Sequence, residues 1–231
     1  MILREWLMRI AIATAMLFFV VSTAQADILL SDLIVELQPG KQLKDDVEVW
    51  NNSPDRAYIA VEPREILDAG TADERVRTDP DPEKLGLLVT PARMVLEPGQ
   101  RKLVRLASLA PPSEKERIFR VTVKPVLGEF QSKDTGLKIV VGYDVLVIVR
   151  PITSSPGLSA IRSGRTLKFT NTGNVSIELV DGRQCDSSQV HCVTLPGKRL
   201  YAGATWSEQL QSDLPVQYTL RELGKVLRRT F

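Results

Sequence analysis

Residues 137–149 read LKIVVGYDVLVIV. Every second residue of this stretch is apolar or aromatic, and a period of two predicts a β-strand. From Val145 onwards the opposite face is apolar as well, so this half is predicted to be buried on both sides. In the first half, Lys138 and Gly142 interrupt the opposite face. We therefore expect the first half to project apolar side chains from a sheet edge that is open.

Short alternating runs of the same kind recur along the chain, separated by turn sequences rich in Pro, Gly, Asn and Asp. The pattern predicts an all-β fold of sandwiches with antiparallel sheets. Arg150-Pro151 ends one set of strands, and the following Ser154-Ser155-Pro156-Gly157 has the composition of a linker. Two domains are therefore predicted, residues 27–151 and residues 152–231. The predicted strands are 28–37, 44–50, 56–64, 87–95, 100–108, 117–126, 137–149, 158–162, 165–171, 176–183, 190–195, 204–210 and 216–220.

Helical periodicity is scarce in this sequence. Ser113–Arg117 and Ser207–Leu210 are predicted to form short helical turns. Asp68–Lys84 is rich in charge, Pro and Gly and is predicted to be a long exposed loop.

The N-terminus has the pattern of a cleavable export signal. Arg4 and Arg9 provide positive charge, Ile10–Val21 is apolar, and Ala24-Gln25-Ala26 matches the small-x-small cleavage pattern. A membrane anchor is the alternative, but the apolar run is too short and polar residues follow it at once. We expect a signal peptide over residues 1–26, cleavage after Ala26 and localisation in the periplasm.

Cys185 and Cys192 are the two cysteines of the chain. Export implies an oxidising compartment, where the two thiols can pair. The polar insert Asp186-Ser187-Ser188-Gln189 suits a hairpin tip, whereas a redox site would require the tighter C-x-x-C spacing. A metal site lacks ligands, because His191 is the only histidine. The spacing therefore predicts a structural disulfide.

Charge and motif content exclude several classes of function. The chain has 30 Lys+Arg and 28 Asp+Glu, and the signal removes two arginines and one glutamate, which leaves 28 against 27. This near-neutral balance argues against nucleic acid or an anionic membrane surface as a partner. The sequence lacks a credible Ser/His/Asp set, H-E-x-x-H, G-x-S-x-G and a phosphate-binding glycine loop. We expect neither an enzyme nor a cofactor, a bound metal or a small-molecule substrate.

Several motifs, taken in order, resemble the PapD-like periplasmic pilus chaperones over the whole chain that follows the signal. A second strand ending in Asn, an apolar-x-Pro-Gly turn, a Glu-x-x-Phe strand and the long final strand of the first domain carry the resemblance. Two pieces of the second domain fit as well. The matching segments are Val47-Glu-Val-Trp-Asn-Asn52, Met94-Val-Leu-Glu-Pro-Gly-Gln100, Glu116-Arg-Ile-Phe-Arg-Val121, Val145–Pro151, Phe169-Thr-Asn-Thr-Gly173 and Leu195–Gly203.

The resemblance implies two immunoglobulin-like domains in an L-shaped arrangement and a chaperone that binds pilus or fimbrial subunits. Such a subunit lacks its last strand, and the chaperone lends one by donor-strand complementation before delivery to an outer-membrane usher. The lent side chains would be Leu137, Ile139, Val141 and Tyr143. The alternative is a structural immunoglobulin-like surface or pilus component, which would need a spare N-terminal strand and a missing final strand.

Further residues follow from the resemblance, and others depart from it. Glu116, Arg150 and Glu222 match positions that form an interdomain salt-bridge network in the family. The family also holds the terminal carboxylate of its client with an Arg on the first strand and a Lys on the donor strand. Those positions fall at about Ile34 and at Leu146. The sequence therefore assigns no residues to this anchor.

Overall fold

A computed structural model of the chain describes residues 28–40, 42–126, 141–186, 188 and 190–231. These residues form strands and one short helix, as the sequence predicts for an all-β protein. The first ten strands surround one hydrophobic core. In chain order they are β1 (Ile28–Leu30), β2 (Ile34–Leu37), β3 (Lys44–Asn51), β4 (Ala57–Leu67), β5 (Arg75–Arg77), β6 (Leu87–Thr90), β7 (Arg93–Leu96), β8 (Arg101–Ser108), β9 (Arg117–Pro125) and β10 (Tyr143–Val149).

These strands make two sheets that pack face to face as the first sandwich. Sheet one has the order β1-β3-β8-β6, and sheet two has the order β2-β10-β9-β4-β5 with β7 paired to β4. Alternate residues of each strand face the core between the sheets. In β10, for example, Val145 and Val147 lie in this core, whereas Leu146 and Ile148 lie in a separate apolar cluster on the outer face of sheet two.

The segment predicted as one strand over residues 28–37 crosses between the two sheets. Its first half, β1, pairs antiparallel with β3 in sheet one. Its second half, β2, pairs parallel with β10 in sheet two, with Ile34 opposite Leu146 and Leu37 opposite Val149. Because the crossing occurs at Ser31–Leu33, β2 covers only the part of β10 that follows Asp144.

The remaining strands form a second sandwich with its own core. Sheet three has the order β11-β12-β16, and sheet four has the order β14-β13-β17-β18 with β15 paired to β13. Phe169 is fully buried between Trp206, Tyr218 and Phe231, with ring centroids 5.0–5.5 Å apart. The strands are β11 (Leu158–Ser163), β12 (Thr166–Asn171), β13 (Ile177–Cys185), β14 (Cys192–Leu195), β15 (Lys198–Leu200), β16 (Thr205–Gln209), β17 (Val216–Glu222) and β18 (Lys225–Thr230). The boundary between residues 151 and 152 stays a prediction.

Several local predictions were wrong. Glu114 and Lys115 form a bend rather than a helical turn, Arg117 already begins β9, and Ser207–Gln209 belongs to strand β16. The predicted loop Asp68–Lys84 contains β5 and the start of a short helix, α1 (Pro82–Leu85). The side chain of Asp81 caps α1 by accepting a hydrogen bond from the Glu83 amide, and Pro82 occupies a position where its missing N–H is harmless.

The disulfide prediction is confirmed. Cys185 and Cys192 are bonded, and they face each other across the β13–β14 pair. Among the residues that the structure describes, no helix is long and apolar enough to cross a membrane.

Candidate functional site

Strand β10 lies inside sheet two for most of its length. It pairs antiparallel with β9 from Tyr143 to Val149, and β2 covers its other edge from Leu146 to Val149. Val145–Val149 are all buried, in accordance with the pattern of two apolar faces in the second half of the stretch.

The edge of β10 that faces β2 is open ahead of Leu146 in the part of the chain that the structure describes. The Leu146 amide donates to the Leu33 carbonyl at 2.9 Å. The backbone N–H and C=O groups of the even-numbered residues of β10 therefore point away from β9, to the side on which β2 lies. The backbone N–H and C=O of Asp144 therefore point to the same side, where no described strand pairs with them. An unpaired strand edge of this kind is able to accept another strand.

The predicted donor residues lie at and ahead of this edge. Leu137 and Ile139 lie outside the described residues. Val141 is 52% exposed. Tyr143 packs against the first core, and its hydroxyl donates to the Ile28 carbonyl at 2.8 Å. Of the four side chains, Tyr143 is therefore already engaged within the first sandwich, and Val141 faces solvent.

One row of residues crosses the outer face of sheet two where the open edge ends. Ile34 lies opposite Leu146, Leu146 opposite Arg120, and Arg120 opposite Arg64. The two positions at which the resemblance implies a cation are thus neighbours, but they carry apolar side chains. Cations occupy the next two strands of the same row. Sequence reasoning missed Arg120 and Arg64 because the resemblance points only to the two aligned positions.

Arg64 and Arg120 share one carboxylate. Arg64 binds Asp144 at 2.8 Å and donates to the Thr122 hydroxyl at 2.6 Å. The Arg120 Nε lies 4.0 Å from the same Asp144 carboxylate, at the limit of an ion pair. With two guanidinium groups and one carboxylate, this cluster has a net positive charge.

A buried ion-pair network lies where the two sandwiches meet. Arg150 binds Glu116 at 2.6 Å and Glu36 at 2.7 Å, and also donates to the Ser176 hydroxyl of the second sandwich at 3.3 Å. Burial raises the pKa of Glu116, while hydrogen bonding from Ser176 and the charge of Arg150 oppose that shift.

The structure thus brings Glu116 and Arg150 together, whereas Glu222 forms no ion pair with Arg150. Glu222 ends β17, where it faces Lys225 across the β17–β18 hairpin. Glu36 is the second carboxylate on Arg150. The sequence signal for Glu36 was its spacing of two from Ile34, which puts both side chains on one face of β2.

Further contacts join the sandwiches beside the arginine cluster. The Glu116 amide donates to the Asn174 carbonyl at 3.0 Å, and the Asn174 side chain donates to the Glu114 carbonyl at 2.8 Å. Tyr201 packs against the apolar cluster on the outer face of sheet two. Burial raises the pKa of the Tyr201 phenol, and the nearby Arg120 opposes this shift.

The described residues contain no group of His, Cys, Asp or Glu side chains arranged to hold a metal ion. What the geometry offers is a surface for a polypeptide: an open strand edge, an exposed apolar side chain beside it, and arginines where the edge ends. A protein with two immunoglobulin-like sandwiches and such an edge has the form of a module that binds other chains by strand addition.

The chain belongs to the family of pili and flagellar-assembly chaperones. The model of the PapD N-terminal domain of this family matches residues 30–154. Pilus assembly chaperones are periplasmic, and their family is one of chaperones rather than enzymes.

Relatives and solved structures agree with this assignment. Two Escherichia coli proteins are similar in sequence: a CS1 fimbrial subunit, 27% identical over 79% of this chain and 80% of the relative, and a CFA/I fimbrial subunit, 28% identical over 77% and 79%. The fold matches the class 5 fimbriae chaperone CfaA with a TM-score of 0.65 and 24% identity, over 88% of this chain and 98% of that one. The Salmonella enterica SafA pilin–SafB chaperone complex matches with a TM-score of 0.65 and 16% identity, over 91% and 98%.

Proposed function

We propose that this fimbrial chaperone lends the strand at residues 137–143 to an incomplete subunit. The observation that carries the proposal is the open edge of β10 ahead of Leu146, where the Asp144 backbone has no described strand partner. A guest strand pairs its main chain with this edge, and Leu137, Ile139 and Val141 fill the groove that the missing strand of the subunit leaves. Tyr143, the fourth predicted donor residue, stays packed against the core of the first sandwich.

The driving force is the burial of alternate apolar side chains. Each large aliphatic side chain that moves from water into the groove contributes about 1.5–3 kcal/mol. Three such residues would together approach the stability of a small domain, which is about 5–15 kcal/mol. Complementation of this kind needs no nucleotide.

The remaining parts of the proposal concern the route of the protein and its partners. The chain is exported by the signal at residues 1–26, is cleaved after Ala26, and folds as domains 27–151 and 152–231. It then delivers bound subunits to an outer-membrane usher. N-terminal sequencing of the periplasmic protein tests the cleavage site, and a first residue other than Asp27 would refute it.

A second candidate function is a structural component of the fimbria. The names of the two curated relatives, both called fimbrial subunits, favour it. The two candidate functions predict different final locations for the protein, because a chaperone is released before its subunit is assembled into the fimbria. Purified fimbriae from cells that express the chain should lack it, and its stoichiometric presence there would favour the structural role.

Co-purification from the periplasm with and without Ile139→Arg tests the donor strand. A charged side chain cannot enter an apolar groove without a large desolvation penalty, so subunit recovery should fall by at least tenfold. Ile161→Arg is the matched control, since Ile161 is exposed on β11 of the second sandwich. Equal recovery with Ile139→Arg and Ile161→Arg would show that the donor strand is assigned wrongly.

A further inference from the structure

Strand β18 is the outer strand of sheet four in the second sandwich, and all six of its residues are exposed. Phe231 and Val216 exchange two backbone hydrogen bonds, of 2.8 Å and 3.0 Å, next to the β17–β18 pair. Because hydrogen-bonded and non-hydrogen-bonded pairs alternate, the backbone N–H and C=O groups of Val226, Arg228 and Thr230 point away from β17. No described strand pairs with them there, so this edge is able to accept another strand.

The side chains of β18 offer a guest strand one apolar contact among cations. Leu227 lies opposite Leu220, a buried member of the second core, and Leu227 itself is 44% exposed. Lys225 and Arg229 flank Leu227 on the same face of the strand, and Arg228 lies on the other face. A guest strand at this edge would therefore meet cations on both of its faces.

The cations of the β17–β18 hairpin lack acidic partners. Among the described residues, the only ion pair within the second sandwich joins Arg199 to Glu178. The hairpin has four cations, and even with Glu222 and a carboxylate at Phe231 counted against them, an excess of two positive charges remains. The four cations are Arg221, Lys225, Arg228 and Arg229.

The single sign of this charge selects among guests. Charged residues on an edge strand protect a protein from aggregation, and charges of either sign serve that purpose. In β18 every charged side chain is positive. Pairing between the β18 strands of two copies would bring like charges together, which is unfavourable, whereas a strand with carboxylates at the same positions is attracted.

We propose that β18 is a second docking edge, to which an extended acidic segment of a partner protein adds as a further strand of sheet four. The segment has carboxylates opposite Lys225, Arg228 and Arg229 and an apolar residue opposite Leu227. Antiparallel pairing is the more stable arrangement for such an addition. The inference is independent of the strand that β10 presents, because it concerns the other sandwich.

A pair of synthetic peptides tests this edge. The acidic probe is the acetylated and amidated hexapeptide Thr-Glu-Glu-Val-Thr-Glu, which in antiparallel alignment places its carboxylates opposite the three cations of β18 and its valine opposite Leu227. The uncharged comparison is Thr-Gln-Gln-Val-Thr-Gln. Amide shifts of the intact protein are followed by NMR during titration. We expect shifts centred on Val226, Arg228 and Thr230, and about tenfold tighter binding of the acidic probe. This preference should weaken as the salt concentration rises from about 0.05 M to about 0.5 M, because ions screen exposed pairs.

Two protein variants and one modified peptide refine the test. Arg228→Gln/Arg229→Gln should remove most of the preference for the acidic probe. Arg165→Gln/Lys168→Gln removes the same charge from exposed positions at and next to β12, and should leave the preference unchanged. The acidic probe N-methylated at its third residue keeps every charge but lacks the amide that would donate to the Arg228 carbonyl, so it should bind at least tenfold more weakly. Thermal unfolding of each variant establishes that it is folded.

Each contrary outcome overturns the proposal in a different way. Equal binding of the two hexapeptides, or a preference that survives Arg228→Gln/Arg229→Gln, would show that the cations of β18 do not select an acidic guest. Undiminished binding of the N-methylated probe would show that the acid lies on the charged surface without adding as a strand. Vesicles of phosphatidylcholine and phosphatidylglycerol in equal parts are a further probe. If they shift the β18 amides and the acidic peptide does not, this edge meets an anionic membrane surface and the proposal is refuted.

Discussion

Replacement of Arg150 by methionine should destabilise the protein more than any exposed arginine replacement. The side chain of Arg150 is 4% exposed and that of its partner Glu116 is 1% exposed. Methionine fills a similar apolar volume but leaves the Glu116 carboxylate buried without its cation. Loss of one partner of a buried pair typically costs about 3–5 kcal/mol, because the other charge remains uncompensated.

The second carboxylate on Arg150 should contribute little to this loss. The Glu36 side chain is about half exposed, so water can solvate it once Arg150 is gone. The double variant Arg150→Met/Glu116→Gln removes both buried charges and should recover most of the stability, since a neutral replacement of a buried pair is often tolerated. The coupling energy between the two positions is then obtained from the double-mutant cycle.

The assay is urea unfolding followed by circular dichroism at pH 7, for the parent, both single variants and the double variant. Arg105→Met is the control, because Arg105 pairs with Asp46 on an exposed face. Two results would contradict this account: a loss of stability with Arg150→Met as small as that with Arg105→Met, or no recovery of stability in the double variant. Either result would show that removal of Arg150 does not leave Glu116 as an uncompensated buried charge.

Three further perturbations have defined outcomes. Cys185→Ser should lower the free energy of unfolding by about 2–3 kcal/mol, since the disulfide closes a short loop; reductant should then have no further effect on urea unfolding of the variant. Phe169→Ala should cost about 3–5 kcal/mol in the same assay, because Phe169 is fully buried among three aromatic rings. Glu116 should favour the folded state at low pH, because burial in the folded protein raises its pKa above the ordinary value of 4.5. Its contribution to the free energy of unfolding is complete below that value and is lost as the pH rises through the raised pKa. The stability of Glu116→Gln relative to the parent should therefore increase over this pH range, and a constant difference would contradict the burial argument.

Most of the strands could be predicted from the sequence, because apolar and polar residues alternate along a strand in step with the burial of its side chains. The alternation of residues 137–149 indicates both the strand and the burial of its second half, and Val145–Val149 are buried as expected. Turn chemistry is less reliable. Leu195-Pro196-Gly197-Lys198 has the composition of a turn, yet Lys198 already begins β15. Strand β18 was missed because its alternating face is weak, and all six of its residues are exposed.

Features that depend on pairing between distant strands could not be predicted from the sequence alone. The switch of one segment from sheet one to sheet two leaves the edge of β10 ahead of Leu146 without a partner among the described strands. The switch follows from the pairing of β1 with β3 and of β2 with β10. The position of Arg120 beside Leu146 depends in turn on the register between β9 and β10. A single sequence indicates which face a residue takes, but not which residue of another strand lies opposite.

Hydrogen exchange of the Asp144 amide tests the central claim most directly. In the free protein this amide should exchange rapidly, whereas the Val145 and Val147 amides, which belong to the β9 pairing, should be protected. Binding of a fimbrial subunit should slow exchange at Asp144 by at least tenfold and leave Val147 unchanged. A protected Asp144 amide in the free protein, or one that exchanges as fast in the complex as in the free chain, would contradict strand addition at this edge.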